Sequence, residues 1–279
     1  MTTVDLDQLA TILTEVSNLE IVPRWGNLKE GDIREKTGPS DLVTIADEAA
    51  EHRLGELLPS LYPGSLVIGE ELIENNPSLI KLIDGDNPVW IVDPIDGTNN
   101  FVEGKDRFCL MVALICHGKT IASAIHQPIE KRTALASLNE GAWMLNNKGR
   151  ERLQVASAVG IETMEGSLNF RFIPEQLRSS IRGRANALLS NRYYSQGCAG
   201  YDYIQIATGQ WHYGIYWKKM PWDHLPGLLI HHEAGGYSAC MDGTPYCPTK
   251  LNGGIITTVD KRSWHELHCQ IIDSLESKI

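Results

Sequence analysis

Positive charge is scarce in this chain. Its 279 residues carry 25 Lys and Arg against 35 Asp and Glu, a formal net charge of −10. A binder of nucleic-acid polymers needs a basic face, so that class is not expected. A small anionic ligand stays open, because bound cations can reverse the local sign. Long apolar runs are missing as well. The longest, Phe108 to Cys116, is too short to span a membrane as a helix. The first residues, Met1-Thr2-Thr3-Val4-Asp5, show no basic segment leading into an apolar one, so no secretory signal is expected. Cys-x-x-Cys pairs are absent too. Cys109, Cys116, Cys198, Cys240, Cys247 and Cys269 sit mostly among apolar or small residues, the pattern of reduced thiols in a cytoplasmic protein. Internal repeats and low-complexity linkers are also lacking.

What remains is an ordinary globular balance, 42% hydrophobic and 22% charged, with enough apolar residues for a sizeable core. Leu6, Leu9, Ala10, Leu13 and Val16 recur at helical spacing over residues 5–22, ahead of Pro23. Residues 29–40 are polar and punctuated by Gly and Pro, which predicts a mobile loop. Thr44-Ile45-Ala46-Asp47 has the capping-box pattern and opens a second helix. Short strands are expected at 66–68, 89–92, 108–116, 121–126 and 133–138. Strands at 143–145 and 153–155 would flank the turn 146–149, completing an antiparallel meander. Beyond residue 156 strands and helices alternate, with strands at 166–170, 187–189 and 212–217 and helices at 174–182, 201–208 and 223–233. The expected division is an N-terminal α+β half, 1–155, with the antiparallel sheet and most metal ligands. A C-terminal α/β half, 156–279, would supply Asp223 and the specificity residues.

The chemistry concentrates in Trp90-Ile91-Val92-Asp93-Pro94-Ile95-Asp96-Gly97-Thr98. An apolar strand runs into two aspartates three residues apart, and a Gly-Thr turn follows. Gly97 lets backbone approach a ligand, and Thr98 can start a helix whose N–H groups receive phosphate. Glu70 and Asp223 also stand at strand or helix ends; Asp223 reads equally as a helix cap or a ligand. Converged carboxylates repel each other by about 4 kcal/mol per pair at 4 Å and an effective dielectric of 20, so such a cluster needs cations or protons. Oxygen-only ligands select Mg²⁺, with Mn²⁺ as substitute, and two such ions can bridge a phosphate and activate water. Cys198 has no matched base nearby in sequence and reads as a packed thiol rather than a nucleophile.

With Gly69-Glu70-Glu71, the 90–101 string, Gly197-Cys198-Ala199 and Pro221-Trp222-Asp223-His224-Leu225-Pro226-Gly227 followed by Glu233-Ala234-Gly235-Gly236, the chain resembles the inositol monophosphatase family of Mg²⁺-dependent, lithium-sensitive phosphatases. The resemblance spans nearly the whole chain. It implies a layered αβαβα sandwich, homodimeric in many members, that hydrolyses a small phosphate ester with two or three Mg²⁺ ions. Glu70, Asp93 and the Ile95 carbonyl would hold one ion; Asp93, Asp96 and Asp223 a second; a third, weaker ion would lie near Glu70. Asp47, Glu70 and Thr98 would orient and activate water. Gly97 and Thr98 would bind the ester phosphate, with Asp96, Gly197, Cys198, Ala199, Tyr216 and Asp223 also around the substrate. Lys36 and Asp41 would lie where a mobile loop closes over the metals.

The sequence departs from the inositol-specific pattern in one place. Those members carry an acid just before the Trp-Asp motif, whereas this chain has Tyr216, followed by Lys218 and Lys219. Either the lysines are solvated surface residues or they face the site, in which case the substrate carries extra negative charge. His224 could line the pocket as a proton donor or lie on a helix surface. Asn169, Arg171, Arg192, Tyr193 and Tyr194 could border the pocket. Among the remaining histidines, His231, His232, His265 and His268 are near neighbours but lack ligand partners in sequence, and the last two read as faces of a C-terminal helix. Besides an enzyme, a non-catalytic phosphometabolite sensor of the same fold stays open.

Overall fold

The computed structural model describes residues 4–38, 41–190 and 192–272. Helix α1 (Leu6–Val16) buries Leu9, Ala10, Leu13 and Val16, and Asp5 caps it by accepting the N–H groups of Asp7 and Gln8. A π turn (Ser17–Ile21) and a 3-10 turn (Val22–Arg24) replace the last part of the expected helix, where Pro23 brings no N–H. The stretch expected as a mobile loop is largely a hairpin: β1 (Ile33–Gly38) pairs antiparallel with β2 (Asp41–Thr44). Pro39 and Ser40 lie outside the described residues. What composition does not reveal is the anchor: Lys36 on β1 meets three distant carboxylates, described below. The capping box forms as expected and opens α2 (Ile45–Leu61). The Thr44 N–H and hydroxyl donate to Asp47 Oδ2 at 2.8 and 2.6 Å.

β3 (Leu66–Gly69) leads into α3 (Glu70–Asn75), and β4 (Val89–Asp96) into α4 (Thr98–Val102). The meander follows: β5 (Cys109–Cys116), β6 (Lys119–Gln127), β7 (Arg132–Ser137), β8 (Gly141–Asn146) and β9 (Gly149–Arg152). The seven strands from β3 to β9 lie in chain order. Only the β3–β4 pair is parallel. Beyond β9 the Leu153 N–H still donates to the Ala142 carbonyl of β8 at 2.8 Å, and the chain then turns away, the Val155 N–H donating to the Ala234 carbonyl at 3.0 Å.

The second sheet has the order β11-β10-β12-β14-β13. Its elements run β10 (Gly166–Leu168), α5 (Glu175–Leu188), β11 (Tyr193–Tyr194), α6 (Ala199–Ala207), β12 (Tyr213–Tyr216) and α7 (Pro221–Glu233). They end with β13 (Tyr237–Cys240), β14 (Ile255–Thr258) and α8 (Lys261–Leu267). The strand expected at 187–189 does not form. Ile181 and Ala185 continue the buried face of α5 through Leu188, and the strand comes later, at β11.

Burial divides these elements into five layers. Leu9, Leu13, Ala50, Leu54 and Leu58 of α1 and α2 pack on Trp90, Val92, Leu110 and Val112 of the large sheet. On its opposite face Cys109, Met111, Ile125 and Ala134 meet Tyr203, Ile204, Leu229 and Ile230 of α6 and α7. α6 and α7 also touch the small sheet, where the Thr258 carbonyl accepts from His231. That sheet's other face packs Ile215 and Ile256 against Ile181 of α5 and Trp264 and Leu267 of α8. The order is the αβαβα sandwich. All six cysteines are free, and among the described residues no helix is long and apolar enough to cross a membrane.

Candidate active site

A β-bulge builds the centre of the site. In a regular strand, residues three apart point to opposite faces. Here Asp93 pairs with Met111 and Asp96 with Cys109, so three steps on β4 match two on β5. Met111 and Cys109 both face α6 and α7, and the bulge puts both aspartates on that face. Ile95, between them, turns to the opposite core beside Phe101.

Asp93, Asp96, Glu70 from the start of α3 and Asp223 from the first turn of α7 line one cavity of about 540 Å³. Asp223 is the third residue of its helix and not its cap, which is Met220. Asp93 is 2% exposed, and its Oδ1 has no hydrogen-bond partner. Burial, then the charges of Glu70, Asp96 and Asp223, hold its carboxyl well above the usual range. Burial pushes Asp223 up to about 8 against the opposing pull of Lys218. The Asp96 carboxylate is raised by burial, while the Cys198 thiol (2.9 Å) and the Gly200 N–H (2.6 Å) donate to its Oδ2 and oppose that rise.

These donors suit a hard divalent cation: all are oxygens, mutually repelling, with one buried acceptor orphaned. They surround the cavity without converging. Among the described residues no three His, Cys, Asp or Glu side chains are grouped closely enough to hold a metal ion. A protein cation sits on Glu70 instead. Lys36 Nζ donates to Glu70 at 3.0 Å and Glu71 at 2.7 Å, and lies 3.0 Å from Glu74. Glu70 and Glu71 raise the ammonium's pKa against its own burial.

Gly97 has φ +88°, and a Cβ there would lie 3.0 Å from the Arg107 carbonyl and 3.1 Å from Cys198 Cβ. A side chain would be strained and crowded at this position. The Thr98 hydroxyl donates to the Ile95 carbonyl at 2.9 Å. Gly97, Thr98, Gly197, Cys198 and Ala199 all line the cavity, as do Asp41, Asn169, Arg171 and Lys218. Cys198 is buried and its thiol is shifted well above its usual range, chiefly by burial, consistent with a packed thiol. Tyr216 lines the cavity with its ring, which stacks on Tyr203 at 5.4 Å. Its hydroxyl is buried beside Gly214 and Thr257.

Several sequence candidates fall elsewhere. Asp47 does not line the cavity; its Oδ2 is taken by Thr44, and it influences Glu70 only as a nearby charge. Lys219 is 5% exposed and donates to Cys240 Sγ at 3.6 Å, so of the two lysines only Lys218 faces the site. His224 lines the cavity, yet both ring nitrogens are engaged inside the protein. Tyr194 stacks on Trp211 and Tyr193 donates to Asn186, away from the cavity, and Arg192 pairs with Glu165. His231 is bonded within the core, and His268 stacks on Trp264. Glu233 of the C-terminal motif is structural: its carboxylate accepts the N–H groups of Asn139 and Gly141, each at 2.8 Å.

Cavity residues that the sequence did not single out include Asp202, Phe172 and Ser195. Asp202 is 5% exposed and accepts the Ser167 hydroxyl at 2.5 Å. An acid inside the otherwise apolar Tyr201–Ile204 stretch was the available signal.

The comparisons with known proteins agree with this geometry. Residues 5–277 match the model of the inositol monophosphatase family. A fructose-1,6-bisphosphatase/inositol-1-monophosphatase of Thermotoga maritima is 29% identical over 244 residues, 85% of each chain. An inositol-1-monophosphatase of Bacillus subtilis is 27% identical over 217 residues, 77% of this chain and 78% of its own. The solved structure of a Thermotoga maritima IMPase superposes with TM-score 0.80 at 25% identity, covering 98% of each chain. With the bulged aspartates, Glu70 and Asp223 around one cavity of the five-layer fold, the chain belongs to the inositol monophosphatase family.

Proposed function

We propose that this chain is a Mg²⁺-dependent phosphomonoesterase acting on a small phosphorylated metabolite. The observation that carries the reading is the set of four oxygen donors around one cavity, with Asp93 Oδ1 buried and unpartnered. Glu70, Asp93, Asp96, Asp223 and the Ile95 carbonyl would hold two or three Mg²⁺ ions, or Mn²⁺ in their place. Bound there, the ions would neutralise phosphate charge and make water a nucleophile. Glu70 and Thr98 would orient that water, Glu70 accepting its proton, and Asp47 would bear on Glu70 through charge alone. The Gly97 and Thr98 backbone would hold the ester phosphate, with Gly197, Cys198 and Ala199 walling the substrate. The first 155 residues would thus supply most ligands, and the rest Asp223 and the alcohol-binding wall. The family names of the relatives, with inositol phosphate and fructose bisphosphate as substrates, support this class of ester.

The test is phosphate release across a panel of phosphate esters, with Mg²⁺ and with EDTA, and with millimolar Li⁺ as inhibitor. Release that needs Mg²⁺ is expected. Tight ester binding with no release from any ester would make the chain a sensor and overturn the proposal.

A further inference from the structure

On the wall of the same cavity stands a second ammonium, within electrostatic reach of Asp223 and Glu70 but in no salt bridge with them. Lys36 is gripped by three glutamates. Lys218 lines the same cavity and forms no ion pair among the described residues. Its Nζ lies 5.9 Å from the ring centroid of Phe172, which is 45% exposed at the cavity wall and also carries the Arg171 guanidinium at 5.0 Å.

The backbone that presents Lys218 is fixed from below. His224 Nε2 lies 2.6 Å from the Lys218 carbonyl, and Nδ1 lies 2.9 Å from the Tyr203 hydroxyl. A carbonyl only accepts, so Nε2 carries the proton and Nδ1 accepts from Tyr203. His224 is 2% exposed, so its ring is held between these two partners inside the protein. Tyr203 is itself wedged against α7, where a Cβ at Gly227 would come within 2.1 Å of its ring. The arrangement ties a cavity cation to the centre of the fold. On the same wall the Tyr216 hydroxyl is turned inward, away from any substrate hydroxyl.

We infer that Lys218, held in place by the Tyr203–His224 pair, is the specificity-determining cation of this chain and reads a second phosphate on the alcohol part of the substrate. The inference rests on the phosphomonoesterase reading above. Once cations neutralise the acids that now act on it, the Lys218 ammonium is available to a second phosphate; Arg171 shares the Phe172 ring, but Lys218 is the cation whose backbone His224 fixes. His224 is a positioning residue: it acts on the substrate only through Lys218.

The experiment compares kcat/KM, with saturating Mg²⁺, for fructose bisphosphate against fructose monophosphate and for adenosine bisphosphate against adenosine monophosphate. Both bisphosphates are expected to be preferred, by about tenfold for one ion pair worth roughly 1.4 kcal/mol, with the preference in KM and weakened by salt. Lys218→Met should bring both ratios close to one, and Lys218→Arg should keep them. His224→Leu should lower the ratios, and His224→Gln, whose amide can still donate to the Lys218 carbonyl, should restore them. Thermal melts establish that each variant is folded. Activity with ratios near one in the unmodified protein, or ratios unchanged in Lys218→Met, would overturn the inference and leave the phosphomonoesterase reading standing. Preference for the adenosine compound alone, surviving Lys218→Met, would overturn it in favour of stacking on Phe172. No release from any ester would overturn the underlying reading, and the inference with it.

Discussion

Asp202 offers a quantitative test of the electrostatics of this fold. It sits on α6 in the central layer, with Ser167 donating to one oxygen and no partner for the other. Burial raises its pKa to about 8, helped by the Asp96 charge and opposed by Ser167 and the Gln196 backbone. The unfolded chain ionises near the ordinary value of 3.8. Below that pH both states hold the proton and the group costs nothing. As pH rises toward 8 the unfolded chain releases the proton and the folded chain keeps it, so stability is lost by about 1.4 kcal/mol per pH unit. Near neutral pH the penalty reaches about 4 kcal/mol, an upper figure because water entry softens it. Asp202→Asn does not titrate and still offers Ser167 an acceptor. The variant's stability relative to the parent should therefore grow by about 3 kcal/mol between about pH 5 and about pH 7. Urea unfolding of both proteins in EDTA measures it, and titrating groups that do not interact with Asp202 cancel in the difference. A gap that stays constant, or narrows with pH, would refute the reasoning.

Three further outcomes follow from the site. Asp93→Asn should abolish Mg²⁺-dependent phosphate release and leave the far-ultraviolet circular dichroism unchanged; full turnover would sink the role of Asp93. Lys36→Met removes the cation shared by Glu70, Glu71 and Glu74 and should cost about 3–5 kcal/mol in EDTA, part of it regained with Mg²⁺. Chemical unfolding with and without the ion reads both changes, and equal stability in EDTA would count against that ion-pair cluster. Gly236→Ala would set a Cβ 2.0 Å from His231 Nε2 and should cost at least about 2 kcal/mol, seen as a lower urea midpoint. An unchanged midpoint would show that the helix end can shift freely.

Much of the fold was legible because the signals were local. The capping box at Thr44 and Asp47, the apolar strands of the meander and the acids at strand ends each announce themselves within a few residues. What the sequence hid was set at a distance. β1 is tied down by glutamates more than thirty residues away, so its polar, turn-rich composition read as a loop. Neighbours in an extended segment point opposite ways, and only the packing shows that Lys218 faces the cavity while Lys219 turns to Cys240. The bulge between Asp93 and Asp96 is likewise a property of the pairing with β5: spacing alone would have put the two carboxylates on opposite faces. Tyr216 was legible as a wall residue, but the inward turn of its hydroxyl depends on Gly214 leaving room.

The central helical layer also sets a timetable. Glu70, Asp93 and Asp96 are made before Asp223, on an element order that completes the large sheet by residue 152. Asp223 comes some seventy residues later, on a helix packed between the two sheets. A nascent or truncated chain therefore holds three of its four acids without the last one. By this geometry the proposed activity switches on only once Asp223 has been made and both sheets have closed on α7, so a chain that stops short of α7 is a silent one.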